Sequence, residues 1–263
     1  MAYAFHEKIA RINLTTGTIT VEKLDTDLAK KFVGGRGLGT KIVYDEGCAT
    51  VDPLGPDNKL VYVTGPLTGA GAPSSGRYMV VTKSPLTGMI ACSNSGGIWG
   101  AKLKYAGWDA LIVEGEAPEW TYLNIVDDKI ELLPASEYLG LFSEELDEKL
   151  KEKHGKDSSV LSIGIAGEKK VLMAAIMNDK DRAAGRSGVG QRTGDVNQLV
   201  VRTQGIDSCA AFVIDDLGAQ TTAADELLGQ LNIELFDLDF TGGQVNAGNF
   251  LIVCVCHSNT SKK

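Results

Sequence analysis

The stretch GPLTGAGAPSSGRYMVVTKSPLTGMIACSNSGGIWG, residues 65–100, decides the fold because it alternates apolar strands with glycine-rich turns. Residues 77–88 are predicted to form a strand that ends in Pro-Leu-Thr-Gly, and the preceding strand, over 58–69, ends in the same four residues. Two nearby copies of one turn sequence indicate paired strand ends of similar build. We therefore expect a sheet with short, tight connections.

The flanking sequence predicts more short strands and few helices. Residues 8–24 alternate apolar and polar side chains around Thr15-Thr16-Gly17, which predicts a β-hairpin. A short helix is predicted over 25–33, and a second over 142–155, where a serine N-cap and acidic residues come first and basic residues and a glycine close the segment. Three strands within 108–135 and buried segments over 158–168 and 171–178 complete the pattern. Strands with few interspersed helices indicate an α+β fold rather than a doubly wound α/β sheet.

Composition excludes several classes of protein. The 263 residues carry a formal net charge of −8, which disfavours a nucleic-acid partner because phosphate backbones are bound by Lys and Arg. No stretch reaches the roughly 20 apolar residues of a membrane span, and the first residues show no secretory signal pattern. Five cysteines fit a reducing compartment better than a disulfide framework. We therefore expect a cytoplasmic protein with no nucleic-acid or membrane partner.

Three loops rich in glycine and serine follow apolar strands and form the candidate ligand site. The first ends at Arg77, the second (91–100) offers hydroxyl and amide groups, and the third (181–190) carries Arg182 and Arg186. A single arginine in a turn is most often a surface residue, but paired guanidinium donors can hold a phosphate or a planar heterocycle. Three such loops together favour one extended, polar and phosphorylated ligand over three coincidences.

Two further patterns stay open or weak. VGGRGLGTK (33–41) matches neither a dinucleotide fingerprint nor a Walker A loop, so it is either a tight connection or a loop that offers Arg36 to an anion. The Cys-Val-Cys-His at 254–257 lacks further ligands at suitable spacing, which favours two strand cysteines over a metal site. Neither pattern assigns a catalytic residue.

Two long segments resemble one known family. Residues 65–117 and 162–190, together with 11–39, closely resemble the N-terminal domain of the tungsten-containing aldehyde ferredoxin oxidoreductases, and the match covers about residues 8–190. The resemblance implies an α+β domain of two similar halves that forms the base for a tungsten (or molybdenum) bis-pterin cofactor. The cofactor contacts that the resemblance implies are Arg77, Asn94, Ser95, Gly96, Arg182 and Ala183.

The resemblance also implies a reaction and partners. Members of the family oxidise an aldehyde to a carboxylic acid and pass the electrons through a [4Fe–4S] cluster to ferredoxin. The metal–pterin carries this chemistry, while the protein positions and tunes it. The family reaction therefore predicts an aldehyde substrate and ferredoxin as the electron acceptor.

The sequence departs from the family pattern after residue 190. We predict a pterin-binding domain over 1–190 and a divergent tail of uncertain fold over 191–263. The family's C-x-x-C-x-x-x-C group is absent, and Cys209, Cys254 and Cys256 have the wrong spacing for a full cluster. We therefore expect the [4Fe–4S] ligands to be missing from this chain and its activity alone to be small.

Other interpretations fit the same departure. The chain is then a non-catalytic pterin-binding module, or a scaffold for a separate subunit that carries the iron–sulfur domains. A truncated gene product is the third alternative.

Overall fold

The protein forms two six-stranded sheets with six α-helices, in a computed structural model that describes residues 4–196 and 198–204. The first half contains β1 (Lys8–Asn13), β2 (Thr18–Lys23), α1 (Thr26–Phe32), α2 (Gly35–Asp45), β3 (Leu60–Thr64), β4 (Tyr78–Lys83), β5 (Ile90–Ser95), α3 (Trp99–Tyr105) and β6 (Ala110–Glu114). The second half contains β7 (Thr121–Val126), β8 (Lys129–Pro134), α4 (Ser143–His154), β9 (Ser159–Ser162), α5 (Gly164–Glu168), β10 (Ile176–Asn178), β11 (Arg182–Ala184), α6 (Val189–Asp195) and β12 (Gln198–Gln204).

The two sheets have the same strand order. The first sheet runs β2-β1-β6-β3-β4-β5, and the second runs β8-β7-β12-β9-β10-β11. The first and last strands of each half are parallel neighbours, and every other neighbouring pair is antiparallel. The predicted α+β fold of two similar halves is therefore confirmed.

The second half is complete only with β12, which lies between β7 and β9 in its sheet. The boundary predicted after residue 190 falls inside α6, and residues 191–204 contribute the rest of that helix and β12. The folded domain thus extends past the predicted boundary, because the sheet needs a parallel partner for β7. Residues 205–263 of the predicted tail, with the pattern at 254–257, lie outside the described residues.

Trp99 is at the centre of the core that the two halves share. Its ring centroid lies 4.7 Å from that of Tyr78 and 5.8 Å from that of Tyr62, both on the first sheet. Its indole Nε1 donates to the carbonyl oxygen of Val201 on β12, at 3.2 Å. The side chain has no exposed surface. One residue of α3 therefore packs against the first sheet and hydrogen-bonds to the second.

The segment 33–41 is not a loop, because α2 begins at Gly35. A Cβ on Gly39 would lie 2.7 Å from the methyl groups of Val63 and Val81, and a Cβ on Gly37 would meet the carbonyl oxygen of Phe32. The glycines allow the helix to approach the sheet closely, although they lower its intrinsic helix propensity. Packing against the sheet therefore outweighs the local preference for a loop.

The predicted hairpin and helices are confirmed, with one correction at a helix end. The side chain of Asp25 accepts hydrogen bonds from the first turn of α1, which makes this residue the N-cap. In α4 the N-cap is Phe142 rather than the serine, and Ser143 is the first helical residue. The N–H of Phe142 donates to Glu145 Oε2 at 3.1 Å, so the glutamate satisfies the backbone N–H of the N-cap residue, which is a different bond from the one that a serine N-cap accepts.

One predicted buried segment begins with three exposed residues. Residues 171–178 contain the buried strand β10, but the side chains of Val171, Leu172 and Met173 before it are 46%, 52% and 77% exposed. These three residues lie in the connection from α5 to β10. A run of apolar residues in a connection therefore gave a false indication of burial.

Within the described residues, none of the helices is both long and apolar enough to cross a membrane.

Replacing Trp99 with alanine is expected to lower the free energy of unfolding by about 3–5 kcal/mol, because a large buried ring is lost and a cavity is left between the sheets. Urea denaturation followed by circular dichroism measures the change. Phe142→Ala is the control, because the Phe142 ring is 67% exposed and its loss should cost no more than about 0.5 kcal/mol. Equal losses for the two variants would contradict the central role of Trp99.

Candidate functional site

The candidate site lies where β5 of the first half comes beside β11 of the second. The two strands hold equivalent positions, since each is the outermost strand of its sheet. The segments 91–100 and 181–190, predicted as loops, therefore contain short strands, and only the residues that follow each strand form connections. The duplicated strand order brings one predicted contact segment from each half to the same place.

Arg77 and Asn94 are in direct contact. Arg77 immediately precedes β4 and Asn94 lies on the neighbouring strand β5, and Arg77 Nη1 donates to Asn94 Oδ1 at 2.6 Å. Both groups are accessible, and Arg77 is exposed. Within residues 4–196 and 198–204, Arg77 forms no ion pair with a carboxylate. Its positive charge is therefore available to an anionic ligand.

Ser95 and Gly96 differ in the groups that they can present to a ligand. Successive side chains of a strand point to opposite faces, so Ser95 faces away from Asn94 and is only 3% exposed. Its hydroxyl lies 3.5 Å from Asn178 Oδ1 in the interior. Only the backbone of Ser95 is therefore placed for a ligand. Gly96, by contrast, has open space where a Cβ would be, with no atom within 4 Å.

Arg182 and Ala183 form the exposed part of β11. The Arg182 side chain is 60% exposed, and its nearest carboxylate is that of Asp181, with 3.6 Å between Nε and Oδ1. Such an exposed pair is weak and screened by salt. The guanidinium of Arg182 is therefore free to bind a ligand, as is that of the exposed Arg186 in the following connection.

Asn178 joins the contact segments of the two halves. Its Nδ2 donates to the carbonyl oxygen of Gly96 at 2.8 Å, and its backbone lies opposite Arg182 in the β10–β11 hairpin. The next residue, Asp179, accepts a hydrogen bond from the N–H of Ile98 at 2.9 Å. Sequence reasoning missed both residues. Their Asn-Asp pair is typical of a turn, but no local signal indicates what a turn contacts.

The start of α2 reaches the same face of the first sheet. A Cβ on Gly35 would lie 3.8 Å from Met79 Cγ, and Met79 is the strand partner of Asn94. Burial raises the pKa of the Cys92 thiol, and the nearby Arg36 guanidinium partly offsets that rise. Arg36 therefore lies near Cys92, two residues before Asn94 on β5. Because the segment is part of α2, Arg36 lies at the start of a helix, and its availability to an anion stays a prediction.

Comparison with known proteins identifies the family of this domain. The family model described as "Aldehyde ferredoxin oxidoreductase, N-terminal domain" matches residues 9–203. A tungsten-containing aldehyde ferredoxin oxidoreductase of Pyrococcus abyssi is 50% identical over 204 residues, which cover 77% of this chain and 34% of that protein. The aliphatic sulfonate oxidoreductase WOR-like subunit of Pyrococcus furiosus is 36% identical over 221 residues, covering 77% of this chain and 35% of that protein.

A solved structure shares the fold. The active site complex BamBC of benzoyl coenzyme A reductase, in complex with 1,5-dienoyl-CoA, contains a chain that superimposes with a TM-score of 0.75 at 35% identity. The superposition covers 77% of this chain and 31% of that one. The chain spans about a third of the length of the curated relatives it matches. It belongs to the aldehyde ferredoxin oxidoreductase family and carries the family's N-terminal domain.

Proposed function

We propose that this chain binds a tungsten- or molybdenum-containing bis-pterin at the junction of β5 and β11, as the cofactor-binding base of an aldehyde-oxidising enzyme. The observation that carries the proposal is the convergence of accessible groups from two equivalent strands, in a chain that shares half of its matched residues with a tungsten enzyme. The contact residues are Arg77, Asn94, Gly96, Arg182 and Ala183, with the backbone of Ser95.

The charges of the junction fit a phosphorylated ligand. Arg77 and Arg182 are exposed and lack strong carboxylate partners among the described residues, although the whole chain carries a net charge of −8. Guanidinium groups bind phosphate through paired, planar donors. An anionic ligand would therefore neutralise cations that the described residues leave unpaired.

The shape of the junction fits a close approach to the backbone. Because nothing occupies the space beside Gly96, a flat ring can approach the main chain there and use its polar groups. The carboxamide of Asn94 adds a neutral hydrogen-bonding group that Arg77 holds in place. The protein's part in this site is to bind and orient the cofactor.

When bound, the metal–pterin supplies the oxidation of an aldehyde to a carboxylic acid. An aldehyde substrate, ferredoxin as the electron acceptor and a cytoplasmic location complete the proposal, and they rest on family membership. Among residues 4–196 and 198–204, no three His, Cys, Asp or Glu side chains come together as a metal site. The ligands of a [4Fe–4S] cluster are therefore proposed to come from outside the described part of the chain.

A second candidate function follows from the same observation. The two cysteines in the described residues are Cys48, which is buried against α2, and Cys92 on β5, and neither belongs to a cluster of metal ligands. A pterin-binding module that works with iron–sulfur domains on a separate subunit is compatible with this observation. Aldehyde-dependent reduction of viologen by the purified chain alone, with stoichiometric iron, would exclude this second candidate.

Replacing Arg77 or Arg182 with alanine is expected to weaken pterin binding by about tenfold or more, because each change removes a charge-assisted hydrogen bond. The measurement is tungsten or molybdenum and released pterin per chain, after expression in a host that makes the cofactor. Lys156→Ala, which removes an exposed cation between α4 and β9, is the control and should retain full content. Wild-type content in both arginine variants would contradict the proposed contacts.

Gly96→Ala is expected to remove most of the bound pterin without destabilising the fold. The new methyl group would enter space that is open in the protein, and the backbone of Gly96 needs no left-handed conformation. It would collide only with a ligand that approaches the main chain. Metal and pterin content, together with thermal unfolding of the cofactor-free chain, separate the two effects. Full pterin content in this variant would show that the cofactor does not contact Gly96.

A further inference from the structure

We propose that Asn178, at the end of β10, and Asp179, in the turn that follows, are positioning residues that hold the segment 96–98 at the place the cofactor requires. The inference rests on the proposed function, because it concerns the same junction. Neither residue is among the contacts that the family resemblance implies. Their side chains bind the contact segment of the first half, while their backbone leads directly into Arg182 and Ala183 of the second.

Asn178 fixes the carbonyl group of Gly96. The residue is 1% exposed, and its Nδ2 donates to that carbonyl oxygen at 2.8 Å. A buried amide that loses such a partner carries the full cost of its desolvation. Because its side chain is almost fully enclosed, Asn178 acts on a ligand only through the residues it holds.

Asp179 fixes the other end of the segment. Its Oδ2 accepts from the N–H of Ile98 at 2.9 Å, while its Oδ1 accepts from the hydroxyl of Ser159 on β9 at 2.5 Å. Hydrogen bonds to a carboxylate are among the strong ones in proteins. The carboxylate therefore ties the segment to the interior of the second sheet.

The side chains of Asn178 and Asp179 form a clamp on the segment 96–98. The packing around Gly97 leaves this clamp little freedom. A Cβ on Gly97 would lie 2.8 Å from Asp179 Oδ2 and 3.1 Å from Asn178 Nδ2, and a Cβ on Gly76 would meet the carbonyl oxygen of Gly97. The segment is thus enclosed between the residue before Arg77 and the β10–β11 turn. Movement of the turn would shift the backbone that carries Gly96.

The turn itself holds an uncommon conformation. Asp179 and Lys180 have φ angles of 45° and 71°, a region that side-chain-bearing residues rarely occupy. Lys180 Nζ contacts Glu148 Oε1 at 2.6 Å on the outer side of the turn. Such backbone conformations cost energy and persist only where surrounding contacts hold them, and they cluster at functional sites. The hydrogen bonds of Asp179 supply that determination here.

The test compares Asp179→Ala, Asp179→Asn and the control Glu148→Gln in the full chain, expressed in a host that makes the metal–pterin. Alanine removes both acceptor oxygens, whereas asparagine keeps one for the N–H of Ile98 and its amide can donate to the hydroxyl of Ser159. Glu148→Gln removes a carboxylate from the outer side of the same turn. The readouts are metal and pterin content, hydrogen exchange of the amides over 96–98 in the cofactor-free chain, and the midpoint of thermal unfolding.

We expect Asp179→Ala to lower pterin affinity roughly tenfold or more, as for loss of a charged hydrogen-bond acceptor. Exchange over 96–98 should accelerate in the same variant, while amides in the core strands stay protected. Asp179→Asn and Glu148→Gln should keep wild-type pterin content and exchange. This rescue by asparagine separates positioning from a general loss of stability.

The proposal is overturned if Asp179→Ala folds and keeps both its pterin and its slow exchange, or if asparagine fails as completely as alanine. If the alanine variant does not fold, Ser159→Ala carries the test, because it frees Oδ1 of Asp179 and leaves Oδ2 in place. Faster exchange over 96–98 in that variant supports the clamp, and unchanged exchange contradicts it. If the wild-type chain carries no pterin, the proposed function is contradicted. The hydrogen-exchange rates over 96–98 still test the clamp in that case, because they are measured on the cofactor-free chain.

Discussion

The hydrogen bond from the Asn178 side chain to the carbonyl oxygen of Gly96 joins the end of β10 in the second sheet to the residue after β5 in the first. The sheets share a core around Trp99, but their strands form no common ladder at this edge. Side chains must therefore set the spacing between β5 and β11. The position of Gly96 relative to Arg182 depends on that spacing, because Gly96 accepts the hydrogen bond and Arg182 is the strand partner of Asn178.

The duplicated strand order explains why the site is where it is. A chain that folds twice with the same topology places the same strand at the edge of each sheet. When the two sheets pack around one core, these edges meet. The first sheet adds Arg77 beside the start of β4, and the second adds Arg182 on β11. Edge strands present polar backbone groups that no neighbouring strand uses. A large polar cofactor can therefore be held from both sides by elements that are rigid in themselves.

Local sequence patterns predicted the elements that depend on local rules. The hairpin around Gly17 and the helix from Ser143 follow from alternation and charge order, and both are present. The patterns failed where tertiary contacts decide. Gly39 lies in a helix because its missing side chain lets the helix pack closely on Val63 and Val81. The role of Asn178 is invisible in the sequence, since the residue it binds is 82 positions away.

The central claim is that one pterin cofactor is held jointly by β5 and β11. A crystal structure of the full chain, purified from a host that makes the metal–pterin, tests it most directly, with anomalous scattering from tungsten or molybdenum locating the metal. The account predicts cofactor density within hydrogen-bonding distance of both Gly96 and Arg182. Cofactor bound through only one of the two strands, or elsewhere on the protein, would contradict it.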